Sequence, residues 1–174
     1  MLDPVLMWML RLVLAAIFMA SGLLKLRQLE QFEASLAAYA LVPQGLLKGV
    51  RVGVPGLELL ASLLLLSPFY PLGNALIAAL ILIFSLAIAI NLLRHNADID
   101  CGCFGSLEQR LSWWLILRNA ILLSFTLALF LPIGLRDLNW FDVLNLIFAT
   151  LALLGLYITL NILISHAPKW RYTA

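Results

Sequence analysis

The residues best suited to chemistry are Cys101 and Cys103, the chain's two cysteines, separated by Gly102 alone. A disulfide across one residue closes a small strained ring. Strain raises the reduction potential, so such a bond suits exchange more than bracing. Gly102 and Gly105 let the backbone turn sharply there. Arg94, His95 and Arg110 are near in sequence and favour a thiolate, while Asp98 and Asp100 oppose one. Two other readings stand beside thiol redox. The pair could hold Cu(I) or Zn with His95 as a third ligand, but nothing else in the loop completes a Zn site, and no metal ligand set is assigned. It could also be two inert thiols in a turn at a helix boundary.

Charged residues inside apolar runs form the second group. Glu58 falls within one such run and Arg118, with Asn119 beside it, within another. An ionised carboxylate at that depth is costly, so Glu58 should be protonated or paired and face the bundle interior. Arg118 is the natural partner of Glu58, and Lys25 is another candidate. A pair that merely fixes helix packing is the bland alternative to a catalytic role.

These side chains need elements to hold them. Apolar runs at 5–24, 50–66, 72–93, 111–131 and 140–164 each approach the ~20 residues that cross a bilayer as a helix. The second is interrupted early by Pro55-Gly56, and Ser67 to Pro71 forms a tight turn. Between the first two runs, 28–39 places Leu29, Phe32, Leu36 and Tyr39 at spacings of three and four, with Glu30, Gln31 and Glu33 between. That pattern predicts a short helix in the membrane interface. The cysteine loop spans 94–110. Ser21-Gly22 and Gly53 fit close helix approach, Asp142 fits an N-terminal helix charge, and Phe18, Phe84, Phe125 and Phe148 fit core or lipid-facing positions. Trp113, Trp114, Trp140 and Trp170 lie near helix ends, where amphipathic rings settle.

Composition agrees. Of 174 residues, 64% are hydrophobic and 11% charged, too few polar groups to cover a soluble surface. The expected architecture is a single all-α integral membrane domain, a bundle of about five helices. The start, Met1 to Pro4, carries an acid where a signal peptide has a basic cluster, so the first run is read as a retained helix. No basic stripe with interleaved aromatics supports nucleic-acid binding. With five spans, Lys25, Arg27, Lys48, Arg51, Arg94, Arg110, Lys169 and Arg171 fall on one side, against Arg11 and Arg136 on the other. The positive-inside rule makes the first side cytoplasmic and takes the cysteine loop with it.

Several short segments, in order, carry a resemblance: Ser21-Gly22 with Lys25-Leu26, then Phe32, Tyr39 and Pro43, then Pro55-Gly56-Leu57-Glu58, then Asn91-Leu92-Leu93-Arg94, then Cys101-Gly102-Cys103-Phe104-Gly105, then Leu117-Arg118-Asn119. Over residues 10 to 125 the chain resembles the MauE family, relatives of the DoxX-like membrane proteins. His95 departs from the pattern, which has glycine after the arginine. The resemblance implies a four-helix DoxX-like core plus one helix in a bacterial inner membrane. It implies help in maturing the disulfide-rich small subunit of an exported enzyme such as methylamine dehydrogenase, alongside a thioredoxin-like partner. Cys101 and Cys103 would be the catalytic pair of a thiol–disulfide oxidoreductase, a redox-active disulfide supported by Glu58, Arg94, Arg118, Asn119 and Lys25. An assembly or export partner without enzymatic activity is the alternative. A disulfide carrier for exported proteins should expose its thiols on the periplasmic side, opposite to the charge count. Two cysteines in one loop offer no path for electrons across the membrane unless the loop dips into the bundle or a quinone takes part. The sequence marks no cofactor-binding residue and no oligomeric state.

Overall fold

A computed structural model describes residues 3–94, 111–132, 134 and 139–166. The described residues are helical and contain no strand: α1 (Pro4–Arg27), α2 (Leu29–Ala38), α3 (Gln44–Leu66), α4 (Tyr70–Leu93), α5 (Trp113–Ala128) and α6 (Trp140–His166). Four of them, α1, α3, α4 and α6, are long and apolar enough to cross a membrane. The fifth apolar helix, α5, has 16 residues and is about 24 Å long, short of the ~30 Å hydrocarbon core. The chain is an all-α membrane protein.

Local chemistry sets the ends. Asp3 caps α1 by accepting the Val5 N–H at 2.8 Å, and Pro4 takes the first turn, where no intrahelical N–H partner is needed. The amphipathic α2 lies where the spacing of Leu29, Phe32 and Leu36 predicts it. It closes on Ala40 in a left-handed conformation, φ 50°. At the head of α6, Asp142 accepts the Asn139 N–H at 2.9 Å, as a first-turn acid should.

The second apolar run differs from its sequence outline. Its helix begins at Gln44, not near residue 50, and passes through Pro55 without ending. Pro43, which reads as a breaker, stands at the N-cap, a place proline tolerates. Inside a membrane bundle, neighbouring helices tolerate the bond that Pro55 removes.

In hydrocarbon, close packing rather than exclusion of water drives helix association, so small residues mark the contacts. A Cβ on Gly73 of α4 would fall 2.5 Å from Leu65 N and 2.8 Å from Leu64 C, so α4 starts directly against the backbone of α3. A Cβ on Gly22 of α1 would meet Pro55 O and Leu59 Cγ at 3.1 Å. Gly53, expected at a close contact, has nothing within 4 Å of that position. α1 packs on α3 and α6, α3 on α4, α4 on α5, and α2 on α3. Over half of the α1 span is buried, 56% against 6% for α6, so α1 is the hub and α6 presents most of its surface to lipid. Phe18 is core, Phe84 and Phe125 pack at its margin, and Phe148 is exposed.

Arg11 is buried in α1 and donates to Leu65 O at 2.8 Å and Ser67 O at 3.0 Å. Its guanidinium stacks over Trp8 and Tyr70, 4.2 and 4.5 Å from the ring centres. It thereby satisfies carbonyls left open where α3 ends.

Candidate functional site

The buried charge of α3 finds its partner on α1. Lys25 Nζ donates to Glu58 Oε1 at 2.5 Å, and both side chains are almost wholly buried. Ser21, one turn before Lys25, donates to the same oxygen at 3.4 Å. Each ion alone would cost several kcal/mol to bury, and pairing offsets that cost. Of the two candidates for Glu58, the fold selects Lys25, because Gly22 brings α1 directly onto the Pro55 turn of α3. Phe84 and Phe32 present their rings to the Lys25 ammonium, at 4.5 and 5.3 Å.

Arg118 instead holds α5 to α6. It donates to Asn161 Oδ1 at 2.8 Å and to Asn119 Oδ1 from Nη2 at 3.2 Å and Nε at 3.4 Å. Asn119 passes the connection to α4 by donating to Ser85 Oγ at 3.1 Å, and Ser85 donates to Ile81 O at 2.7 Å. Asn161 donates in turn to Tyr157 O at 2.7 Å.

The two groups still face each other. Ser21, Lys25, Glu58, Arg118, Asn119 and Tyr157 line one cavity of about 30 Å³, room for about one water. Glu58 Oε2 is buried and has no hydrogen-bond partner among the described residues. The cavity therefore joins a carboxylate oxygen, an ammonium, a guanidinium, an amide and a phenol inside the bundle. Such a set can hold a small polar molecule or pass a proton.

Of the residues singled out in the sequence, Lys25, Glu58, Arg118 and Asn119 come together here. Arg94 is the C-cap of α4, is exposed, and does not line the cavity. Cys101 and Cys103 lie outside the described residues, as do His95, Arg110 and Trp170. Sequence reasoning missed Ser85, Tyr157 and Asn161. Tyr157 and Asn161 stand four apart in an apolar run, the spacing of one helix face, and that was the available signal.

Comparison with known proteins decides the family. The profile described as "Methylamine utilisation protein MauE" matches residues 3–132. The chain belongs to the MauE family. Relatives named methylamine utilization protein MauE include one from Paracoccus denitrificans, 37% identical over 131 residues, which are 74% of this chain and 70% of that protein. Another, from Paracoccus versutus, is 36% identical over 128 residues, 72% and 69% of the two chains. A third, from Methylorubrum extorquens, is 36% identical over 136 residues, 76% and 73%. No solved structure matches. The MauE match takes in α1 to α5 with Lys25, Glu58, Arg118 and Asn119, and the segment with both cysteines. α6, which supplies Tyr157 and Asn161, follows it.

Proposed function

We propose that this MauE-family chain is a multi-pass inner-membrane thiol–disulfide redox protein that helps mature an exported enzyme such as methylamine dehydrogenase, acting with a thioredoxin-like partner. The observation that carries the reading is the Cys101-Gly102-Cys103 sequence, which holds the chain's only cysteines and follows α4 by a few residues. The family's association with methylamine utilisation supports it. So does the buried cluster of Lys25, Glu58 and Arg118, an arrangement whose cost in a membrane usually accompanies function. In the reaction, a thiolate of the pair attacks a partner disulfide, a mixed disulfide forms, and the second thiol releases it.

The test replaces both cysteines with serine. Loss of client maturation, with the protein still accumulating in the membrane, is the expected result; undiminished maturation overturns the reading. Labelling with a membrane-impermeant maleimide on spheroplasts adds the side of the membrane. The reading expects labelling from the periplasmic face after mild reduction only. Among the cations that favour the opposite side, Lys25 is inside the bundle against Glu58, and Arg51 pairs with Glu33. Labelling only after the membrane is opened would put the thiols inside or buried, and would require either an electron relay across the membrane or the structural reading of the pair.

A second reading, an assembly partner without thiol chemistry, draws on the same buried pairs as packing devices. It predicts a functional serine double variant.

A further inference from the structure

A second cavity lies on the other side of Lys25, between α2, α3 and α4, and measures about 360 Å³. That is within the ~300–1,000 Å³ typical of small-molecule sites. Its walls are apolar, with Phe32, Leu36, Val54, Ile83 and Ile88 among them. Lys25, Ser35 and Tyr39 are the polar residues in its lining, and the Ser35 hydroxyl already donates to Gln31 O at 3.1 Å. Lys25 and Phe84 line both cavities, so the ammonium is the partition between an apolar chamber and a polar one. One of its three N–H donors is used by Glu58.

We propose that this chamber binds the head of a membrane quinone, with Lys25 donating to a quinone carbonyl. Three observations select that chemistry. First, Ile83 and Leu86, both on the wall, are more than 60% exposed on the outer face of α4, so a lipid-dissolved molecule can enter from the bilayer. Second, the charge of Lys25 is already matched by Glu58. A phosphate headgroup would bring an uncompensated negative charge against apolar walls, whereas a neutral acceptor needs only the one donor. Third, a quinone takes up two protons with two electrons, and the chamber borders a carboxylate–ammonium pair backed by a polar cavity.

The redox step rests on the thiol reading above; binding does not. In that step two S–H bonds break and one S–S bond forms. The two electrons and two protons convert both quinone carbonyls to hydroxyls, so the dithiol is oxidised and the quinone reduced to quinol. Ile90 on the chamber wall is four residues from Arg94, about 6 Å along the helix axis. The chamber thus runs toward the end of α4 from which the cysteine segment departs.

The test titrates a short-chain ubiquinone analogue into purified full-length protein in nanodiscs, using the Cys101→Ser/Cys103→Ser form so that thiol chemistry cannot contribute. Saturable one-to-one binding is expected. Leu36→Trp, which fills the chamber and leaves Lys25 and Glu58 unsubstituted, should abolish it, and Lys25→Met should weaken it about tenfold or more. Absence of saturable binding, or binding indifferent to Leu36→Trp, overturns the site. So does a co-purified phospholipid that the quinone cannot displace, since an acyl chain is then the occupant. Because binding is read without the thiols, the two proposals fail separately. Cysteine-dependent maturation without quinone binding removes the quinone alone, and quinone binding with cysteine-independent maturation removes the thiol reading alone.

Discussion

Lys25 and Glu58, thirty-three residues apart in sequence, meet at 2.5 Å inside the bundle. Around them lie the small polar cavity with Arg118 and Asn119 and the larger apolar chamber beneath α2. The pair is at once a packing contact between α1 and α3 and the boundary between two environments, and substitutions can separate those roles.

Removing one partner leaves the other charged and buried. Glu58→Leu and Lys25→Met are each expected to destabilise the protein by about 3–5 kcal/mol, seen as reduced accumulation in the membrane and a lower unfolding temperature. The double variant Lys25→Met/Glu58→Leu should recover most of that stability while remaining inactive in client maturation. A double variant as unstable as either single one would show that mutual neutralisation is not what the pair provides.

The tether between α5 and α6 is open to a double-mutant cycle. Arg118→Leu and Asn161→Leu should each cost about 1.5–3 kcal/mol, as for hydrogen bonds to a charged group. Their combination should cost clearly less than the sum, because both remove the same 2.8 Å contact. Additive effects would mean that the contact contributes nothing.

Glycine substitutions test the helix approaches in graded order. Gly73→Ala would drive a methyl group into the backbone of α3 and should cost about 1–3 kcal/mol. Gly22→Ala meets the yielding Leu59 side chain as well as a carbonyl, so its effect should be smaller. Gly53→Ala has open space and better helix propensity, and should be neutral or mildly stabilising. Thermal unfolding in one detergent ranks the three; a Gly53 variant as damaged as the Gly73 variant would contradict the packing.

Much of the fold was legible because a membrane helix advertises itself by length and apolarity, and α2 by the spacing of Leu29, Phe32 and Leu36. The start of α3 was not. Gly45, Gly49 and Gly53 dilute its hydropathy, and Pro43 resembles a stop when it is an N-cap. The membership of the site, Lys25, Glu58, Arg118 and Asn119, was readable from the rule that intramembrane polar groups face inward. Its pairing was not, since depth along each helix says nothing about which helices are neighbours. Depth favours Arg118 for Glu58, but the approach of α1 to α3 at Gly22 gives Lys25 the contact and leaves Arg118 to Asn161. Gly73 carried no local signal, because its role exists only through the backbone it touches.

The two basic side chains of α1 have a mechanical consequence. Arg11 grips the carboxyl end of α3, and Lys25 holds Glu58 in the same helix. The grips rise from positions fourteen residues apart on α1, and the points they hold on α3, Glu58 and Leu65, are seven residues apart, about 10 Å along its axis. Two separate fastenings on one helix resist a piston stroke or a roll of α3 against α1, since either motion strains at least one of them. Any rearrangement during a working cycle then falls more easily to the elements outside this clamp, such as α2 over the apolar chamber or α5 with α6, which Arg118 and Asn161 join.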